Sequence, residues 1–103
     1  MPSRGIALGK TGEDLACREL DRRGNAIVAR RYRRRVGEVE IIARGGQTLV
    51  FVEMKARGDQ AFGDPADTVT AMKRWRIVEV ALDCVIRHRL ITTPCRFDVV
   101  SIG

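Results

Sequence analysis

Apolar residues recur along this chain with helical spacing in two stretches and with strand-like density in four others. The first helix is predicted over residues 11–23, with Thr11 as its N-cap and Gly24 as its stop. The second is predicted over residues 70–89, after a turn that Asp64-Pro65 opens with proline at the first helical position. Its predicted core stripe comprises Val78, Ala81, Leu82 and Val85.

Four strands are predicted between and after these helices. They cover residues 26–33, 37–44, 48–56 and 95–102. Strict alternation in the second strand puts Val39, Ile41 and Ala43 on one face and Glu38, Glu40 and Ile42 on the other. Because strand–helix–strand crossovers are right-handed, the fourth strand is expected to run parallel to the third. The prediction is a single α/β domain over residues 1–103: helix, three strands, helix, strand, with a mixed sheet flanked by helices.

A glycine pair between the second and third strands predicts a tight hairpin. If Gly45 and Gly46 form the loop, the register places Glu38 opposite Glu53. Glu40 and Glu53 then become diagonal neighbours, roughly 7–8 Å apart at the backbone. Both carboxylates are within reach of one cation in this arrangement.

Two charged residues interrupt the most apolar strand, Thr48–Ala56. Glu53 and Lys55 share its face with Leu49 and Phe51. Charged side chains are almost never fully buried unless they are paired. The spacing leaves two interpretations open: a buried Glu53–Lys55 ion pair, or a site completed by a cation or an anionic substrate. Glu13, on the core-facing stripe of the first helix, adds a further acidic candidate, although a carboxylate in a first turn also suits the helix dipole.

The charge balance favours a polyanionic partner. The 103 residues include 19 Lys and Arg against 13 Asp and Glu, a formal charge of +6. Basic residues are densest just before the proposed site strands and at the start of the second helix, and a solvated surface is the alternative interpretation of both groups. The nucleic-acid-binding candidates are Arg30, Arg31, Arg33, Arg34, Arg35, Lys73, Arg74 and Arg76.

Other classes are disfavoured. Three widely spaced cysteines, Cys17, Cys84 and Cys95, make neither a metal-thiolate nor a disulfide framework and are expected to be small core residues. No stretch has the length and apolar content of a membrane span or a secretory signal. We therefore expect a cytoplasmic protein without a membrane partner.

Several ordered motifs resemble the YraN-like family of bacterial proteins. They are Gly9–Glu13, Gly37–Ile42, Val50–Lys55, the basic group at residues 73–76, and Cys95–Val100. The resemblance covers nearly the whole chain. It implies a restriction-endonuclease-like fold, similar to that of Holliday-junction resolvases, with DNA as partner and a homodimer left open.

By the same resemblance, Glu13, Glu40, Glu53 and Lys55 occupy the catalytic positions of this nuclease superfamily. The implied cofactor is Mg²⁺ or Mn²⁺, held by Glu40 and Glu53, with Glu13 acting through water or on a second ion. Glu40 stands where the family usually has Asp.

The expected function is therefore DNA binding with metal-dependent phosphodiester hydrolysis, with branched DNA as one substrate. A catalytically inactive nucleic-acid-binding module is the first alternative. A protein-interaction subunit that docks through the Trp75 region is the second.

Overall fold

The computed structural model describes the backbone of residues 4–56 and 65–102, and the side chains of residues 12–55 and 71–101. Residues 57–63, where Gly58 and Gly63 predict a loop, lie outside this range. The elements in chain order are α1 (Arg4–Arg22), β1 (Ala26–Arg34), β2 (Gly37–Gly45), β3 (Thr48–Ala56), α2 (Pro65–Arg87) and β4 (Cys95–Ile102).

The four strands form one mixed sheet in the order β1-β2-β3-β4. β1, β2 and β3 are antiparallel neighbours, whereas β3 and β4 are parallel. The predicted element order, the mixed sheet and the parallel last strand are thereby confirmed. The crossover from β3 to β4 contains α2, as a parallel connection requires.

Both helices begin earlier than the sequence pattern predicts. α1 begins at Arg4, so Thr11 is not its N-cap and Glu13 lies in the helix interior. The first turn of α1 contains no acidic residue, which excludes the helix-dipole explanation for Glu13. α2 begins at Pro65, in agreement with a proline at the first helical position.

The predicted hairpin register is wrong by two residues. The loop is Gly46-Gln47, and Gly45 pairs with Thr48 inside the ladder. Gly46 takes the positive φ of +64° that the first loop residue of such a turn favours. Gly45 is held in the strand beside the side-chain oxygen of Asn25, which leaves no room for a Cβ. The shift changes which residues face each other across the two strands.

The core is divided between the two faces of the sheet. On one face, Ala16, Cys17 and Leu20 of α1 pack on a cluster that includes Ile41, Ala43, Val50 and Val52. On the other face, α2 packs on Val39, Ile42, Leu49 and Phe51. The buried residues of α2 are Ile77, Val80, Ala81, Cys84 and Val85.

The predicted stripe of α2 is thus partly wrong. Leu82 is 55% exposed, and Val78 is half-buried. The helix turns a face centred near Val80 towards β2, and Val80 is fully buried. This rotation decides which polar residues at the start of α2 point towards the sheet.

The predicted alternation of β2 side chains between the two faces of the sheet also fails near Glu40. Val39 packs in the same cluster as Ile42, whereas Ile41 packs on the opposite face. In β1, Arg31 stands across from Glu40, between the pairs Arg30↔Ile41 and Tyr32↔Val39, and has a φ of +52°. A left-handed φ within a strand is strained for a residue other than glycine. The sheet is therefore distorted in both strands at the level of Glu40.

Two smaller predictions concern the cysteines and membrane spans. Cys17 and Cys84 are buried free thiols, but Cys95 is exposed on the edge strand β4, so it is not the core residue that was predicted. Within the described residues, neither helix combines the length and apolar character needed to cross a membrane.

Candidate active site

The site begins where β2 and β3 separate. Their ladder runs from Gly45↔Thr48 to Ile41↔Val52 and ends there. β3 continues beside β4 as far as Ala56. The next residues in register, Glu40 and Glu53, therefore face each other at the mouth of the gap. They are direct neighbours, not the diagonal pair that the predicted register gave.

The carboxyl group of Glu40 lies close enough to Glu53 and to the backbone N–H of Met54 for both to act on its pKa. Burial, the hydrogen bond with Glu53 and the charge of Glu53 raise the pKa of Glu40 from 4.5 to about 7. The Met54 amide and Lys73 act on that pKa in the opposite direction. Burial and the neighbouring Glu53 thus oppose the charged form of Glu40, and a positive charge beside the two carboxyl groups would favour it.

Lys73 supplies one cation from α2. Its Nζ lies 2.7 Å from Oε1 of Glu53. The Glu53 side chain is 14% exposed and that of Lys73 is 59% exposed. The predicted alternative of a Glu53–Lys55 ion pair is therefore wrong for this structure. Lys55 is half-buried at the end of β3, and among the described residues it neither forms an ion pair nor lines the pocket beside Glu53.

Glu13 enters the site from α1 and is held by β1. The Nε of Arg31 donates to Oε2 of Glu13 at 2.9 Å, and Nη1 of Arg30 lies 3.4 Å from Oε1. The Glu13 side chain is 8% exposed. The strained backbone of Arg31 thus accompanies an ion pair with a nearly buried carboxylate, so the strain falls at the site.

These residues line a common cavity of about 450 Å³. Its lining comprises Glu13, Arg31, Gly37, Glu38, Glu40, Glu53, Met54, Lys73, Arg76 and Ile77. Four glutamates face three cationic side chains, so the lining is one positive charge short of neutrality. Within the described part of the chain, no three His, Cys, Asp or Glu side chains converge closely enough to form a ready-made metal group. The structure thus brings Glu40 and Glu53 together and leaves Glu13 on Arg31, across the same cavity.

Of the other basic candidates among the described residues, only Arg76 lines this cavity. Arg30, Arg33 and Arg34 are paired with Asp14, Glu38 and Asp83, at 2.7, 2.8 and 2.7 Å. Arg35 and Arg74 are exposed, and neither forms an ion pair among the described residues; Arg76 is exposed and lines the cavity. Exposed ion pairs contribute only about 0.2–1 kcal/mol each, so the paired arginines can exchange carboxylate for phosphate at small cost.

Sequence reasoning missed the two cations that neutralise the acidic residues. Lys73 and Arg31 were assigned to nucleic acid alone, yet they hold Glu53 and Glu13. Helical spacing contains the signal for Lys73, which stands four residues before the buried Ile77. No comparable signal marks Arg31, because a left-handed φ in a strand has no local sequence cause other than glycine.

Comparisons with known proteins agree with the resemblance to YraN-like proteins. The sequence profile of "Uncharacterised protein family UPF0102" matches residues 12–102. A UPF0102 protein of Geotalea uraniireducens is 46% identical over 96 residues, covering 93% of this chain and 76% of that relative. One of Nocardia farcinica is 48% identical with the same coverage, and one of Anaeromyxobacter dehalogenans is 43% identical, covering 93% and 72%.

The raised pKa of Glu40 gives a prediction for the metal-free protein. The folded state binds this proton more tightly than the unfolded chain, so Glu40 makes the protein less stable as pH rises from about 4.5 to about 7. Glu40→Gln removes the charge and retains the shape. We expect the variant to be more stable than the wild type by about 1–2 kcal/mol at pH 8, after allowance for partial exposure, and to lose this advantage near pH 4.5.

Urea unfolding in the presence of a chelator, at both pH values, measures this difference. Glu79→Gln makes the same chemical change on α2, away from the cavity lining, and serves as the control. A Glu40→Gln variant that is less stable than the wild type at pH 8 would contradict the assignment.

Proposed function

The chain belongs to the UPF0102 family, and from its site we propose that it is a DNA-binding protein that hydrolyses phosphodiester bonds with a divalent metal ion. The observation that carries this proposal is the juxtaposition of Glu40 and Glu53 on the cavity wall, at the point where β2 and β3 separate. A structural ion pair needs one carboxylate for each cation. Two neighbouring carboxylates beside the single ammonium of Lys73 instead form an oxygen-rich position with a deficit of positive charge.

This position suits Mg²⁺ or Mn²⁺. Both ions prefer oxygen ligands, and Mg²⁺ is commonly held by one or two carboxylates while it keeps several waters. Glu40 and Glu53 would be the protein ligands, and Glu13 would act through water, because Arg31 holds its carboxylate. When bound, such an ion lowers the pKa of a coordinated water and stabilises negative charge on a phosphate oxygen.

The protein's own groups bind and orient the substrate in this proposal. Lys73 and Arg76 extend from α2 into the cavity, where a phosphate would complete their charge balance. Arg31 holds Glu13 in place on the side of α1. The predicted role of Lys55 is to orient the attacking water or to stabilise the developing negative charge, and both roles stay predictions.

The alternative is a module that binds nucleic acid without cleaving it, and Glu40 is the residue that favours it. Its carboxylate sits one methylene further from the strand than that of the aspartate usual in the family, and a site loses activity when its groups are misplaced by about 0.5 Å. Against this alternative stands the backbone N–H of Met54, which favours the charged form of the Glu40 carboxyl group as a hydrogen-bond donor would.

Cleavage assays with ligand variants test the proposal. Purified protein is incubated with branched, nicked and linear DNA, with and without Mn²⁺. We expect Mn²⁺-dependent cleavage that falls by about 100-fold or more in Glu53→Gln and Glu40→Gln, since loss of even outer partners of a metal site costs about 10–100-fold. Glu40→Asp keeps a carboxylate and is expected to retain cleavage, while DNA binding persists in all three variants.

The outcomes separate the candidate functions. DNA binding without cleavage in any protein, Glu40→Asp included, would favour the inactive module. Absence of DNA binding even at low salt, where phosphate contacts are strongest, would instead favour the protein-interaction role.

The basic surface gives a separate prediction. Arg35 and Arg74 are exposed, and we expect each to neutralise one phosphate. Arg35→Gln and Arg74→Gln should each weaken DNA binding and reduce the slope of log K against log salt by about 0.9. Arg22→Gln, which removes a charge paired with Glu19 on α1, is the matched control and should leave the slope unchanged.

Fluorescence anisotropy over a salt series measures these slopes. An equal reduction of the slope in all three variants would show that DNA affinity depends only on the net charge of the protein. The assignment of Arg35 and Arg74 as phosphate contacts would then be wrong.

A further inference from the structure

The contact between Lys73 and Glu53 is unequal in exposure. The carboxylate is 14% exposed, whereas the lysine side chain that reaches it from α2 is 59% exposed. Lysine carries a compact charge on a flexible stem, and the Nζ of Lys73 lies 2.7 Å from Oε1 of Glu53. Most of the cost of separating the pair therefore falls on Glu53, which needs another cation, and little falls on Lys73, which is already largely hydrated.

Glu53 is also one of the two carboxylates proposed to hold a divalent ion. An ammonium group and a divalent cation on the same carboxylate repel each other strongly at contact distance. The two cations are thus alternatives at Glu53.

We propose that Lys73 is an exchangeable counterion: it neutralises Glu53 in the metal-free protein, is displaced when a divalent cation binds, and then contacts a phosphate of the nucleic acid. This inference rests on the metal site of the proposed function. It assigns to Lys73 of α2 the neutralisation of Glu53, for which the sequence pattern offers Lys55. It explains why a lysine on the cavity wall points at a carboxylate when its expected partner is a phosphate.

Two opposite effects follow for Lys73→Gln. Removal of the competing ammonium should tighten divalent-ion binding, since the ion no longer has to displace a resident charge. Removal of the same charge should weaken nucleic-acid binding. A lysine that is merely part of a solvated surface would produce only the second effect.

The experiment is a Mn²⁺ titration of the full chain by isothermal calorimetry, at low ionic strength and without nucleic acid. We expect Lys73→Gln to bind Mn²⁺ about three- to tenfold more tightly than the wild type. Lys73→Arg keeps the positive charge and should restore wild-type affinity. Arg74→Gln removes the adjacent exposed charge outside the cavity lining, and its affinity should change by less than about twofold.

Each result has a distinct meaning. Equal Mn²⁺ affinity in the wild type and Lys73→Gln overturns the exchange and leaves the proposed metal site standing. Absence of Mn²⁺ binding in every variant overturns both. A urea midpoint of Lys73→Gln close to that of the wild type verifies that the comparison is between folded proteins.

Discussion

Two carboxyl groups in contact, Glu40 and Glu53, set the requirement that the surrounding structure satisfies. Like charges directly opposite each other on neighbouring strands destabilise a sheet unless a proton or cation lies between them. The ladder of β2 and β3 ends just before these residues, so the strands separate where the repulsion acts. The Lys73 ammonium supplies part of the compensation at Glu53, and the Met54 amide and Lys73 both favour the charged form of Glu40. The proposed metal ion would supply the remaining positive charge in the gap between the strands.

Elements from both faces of the sheet complete this position. α1 contributes Glu13, which Arg31 of β1 holds, and α2 contributes Lys73 and Arg76. Glu13, Glu38 and Glu53 of the cavity are each paired with a basic residue of a different element, namely Arg31, Arg33 and Lys73, so formation of the cavity depends on the tertiary fold as a whole. The same basic groups are the ones that a phosphate would attract. On the proposed function, the acidic centre and the basic surface would act together, because a bound cation and a bound polyanion would each make the other's binding more favourable.

The element order and the acidic candidates could be predicted from the sequence, because apolar periodicity and charged residues within apolar strands are local signals. The hairpin register could not. The choice between a Gly45-Gly46 loop and a Gly46-Gln47 loop depends on Asn25, which packs against Gly45 from the end of α1. The phase of α2 depends on the residues that the sheet presents, and it alone brings Lys73 to Glu53. These misses share one cause, which is contact between segments distant in sequence.

The central claim is that Glu40 and Glu53 form one cation position. It is tested most directly by a crystal of the protein soaked with Mn²⁺ and measured at the manganese absorption edge. The account predicts an anomalous peak between the two carboxylates, with the Lys73 ammonium moved away from Glu53. Carboxylates that point apart, or manganese bound only elsewhere on the molecule, would contradict it.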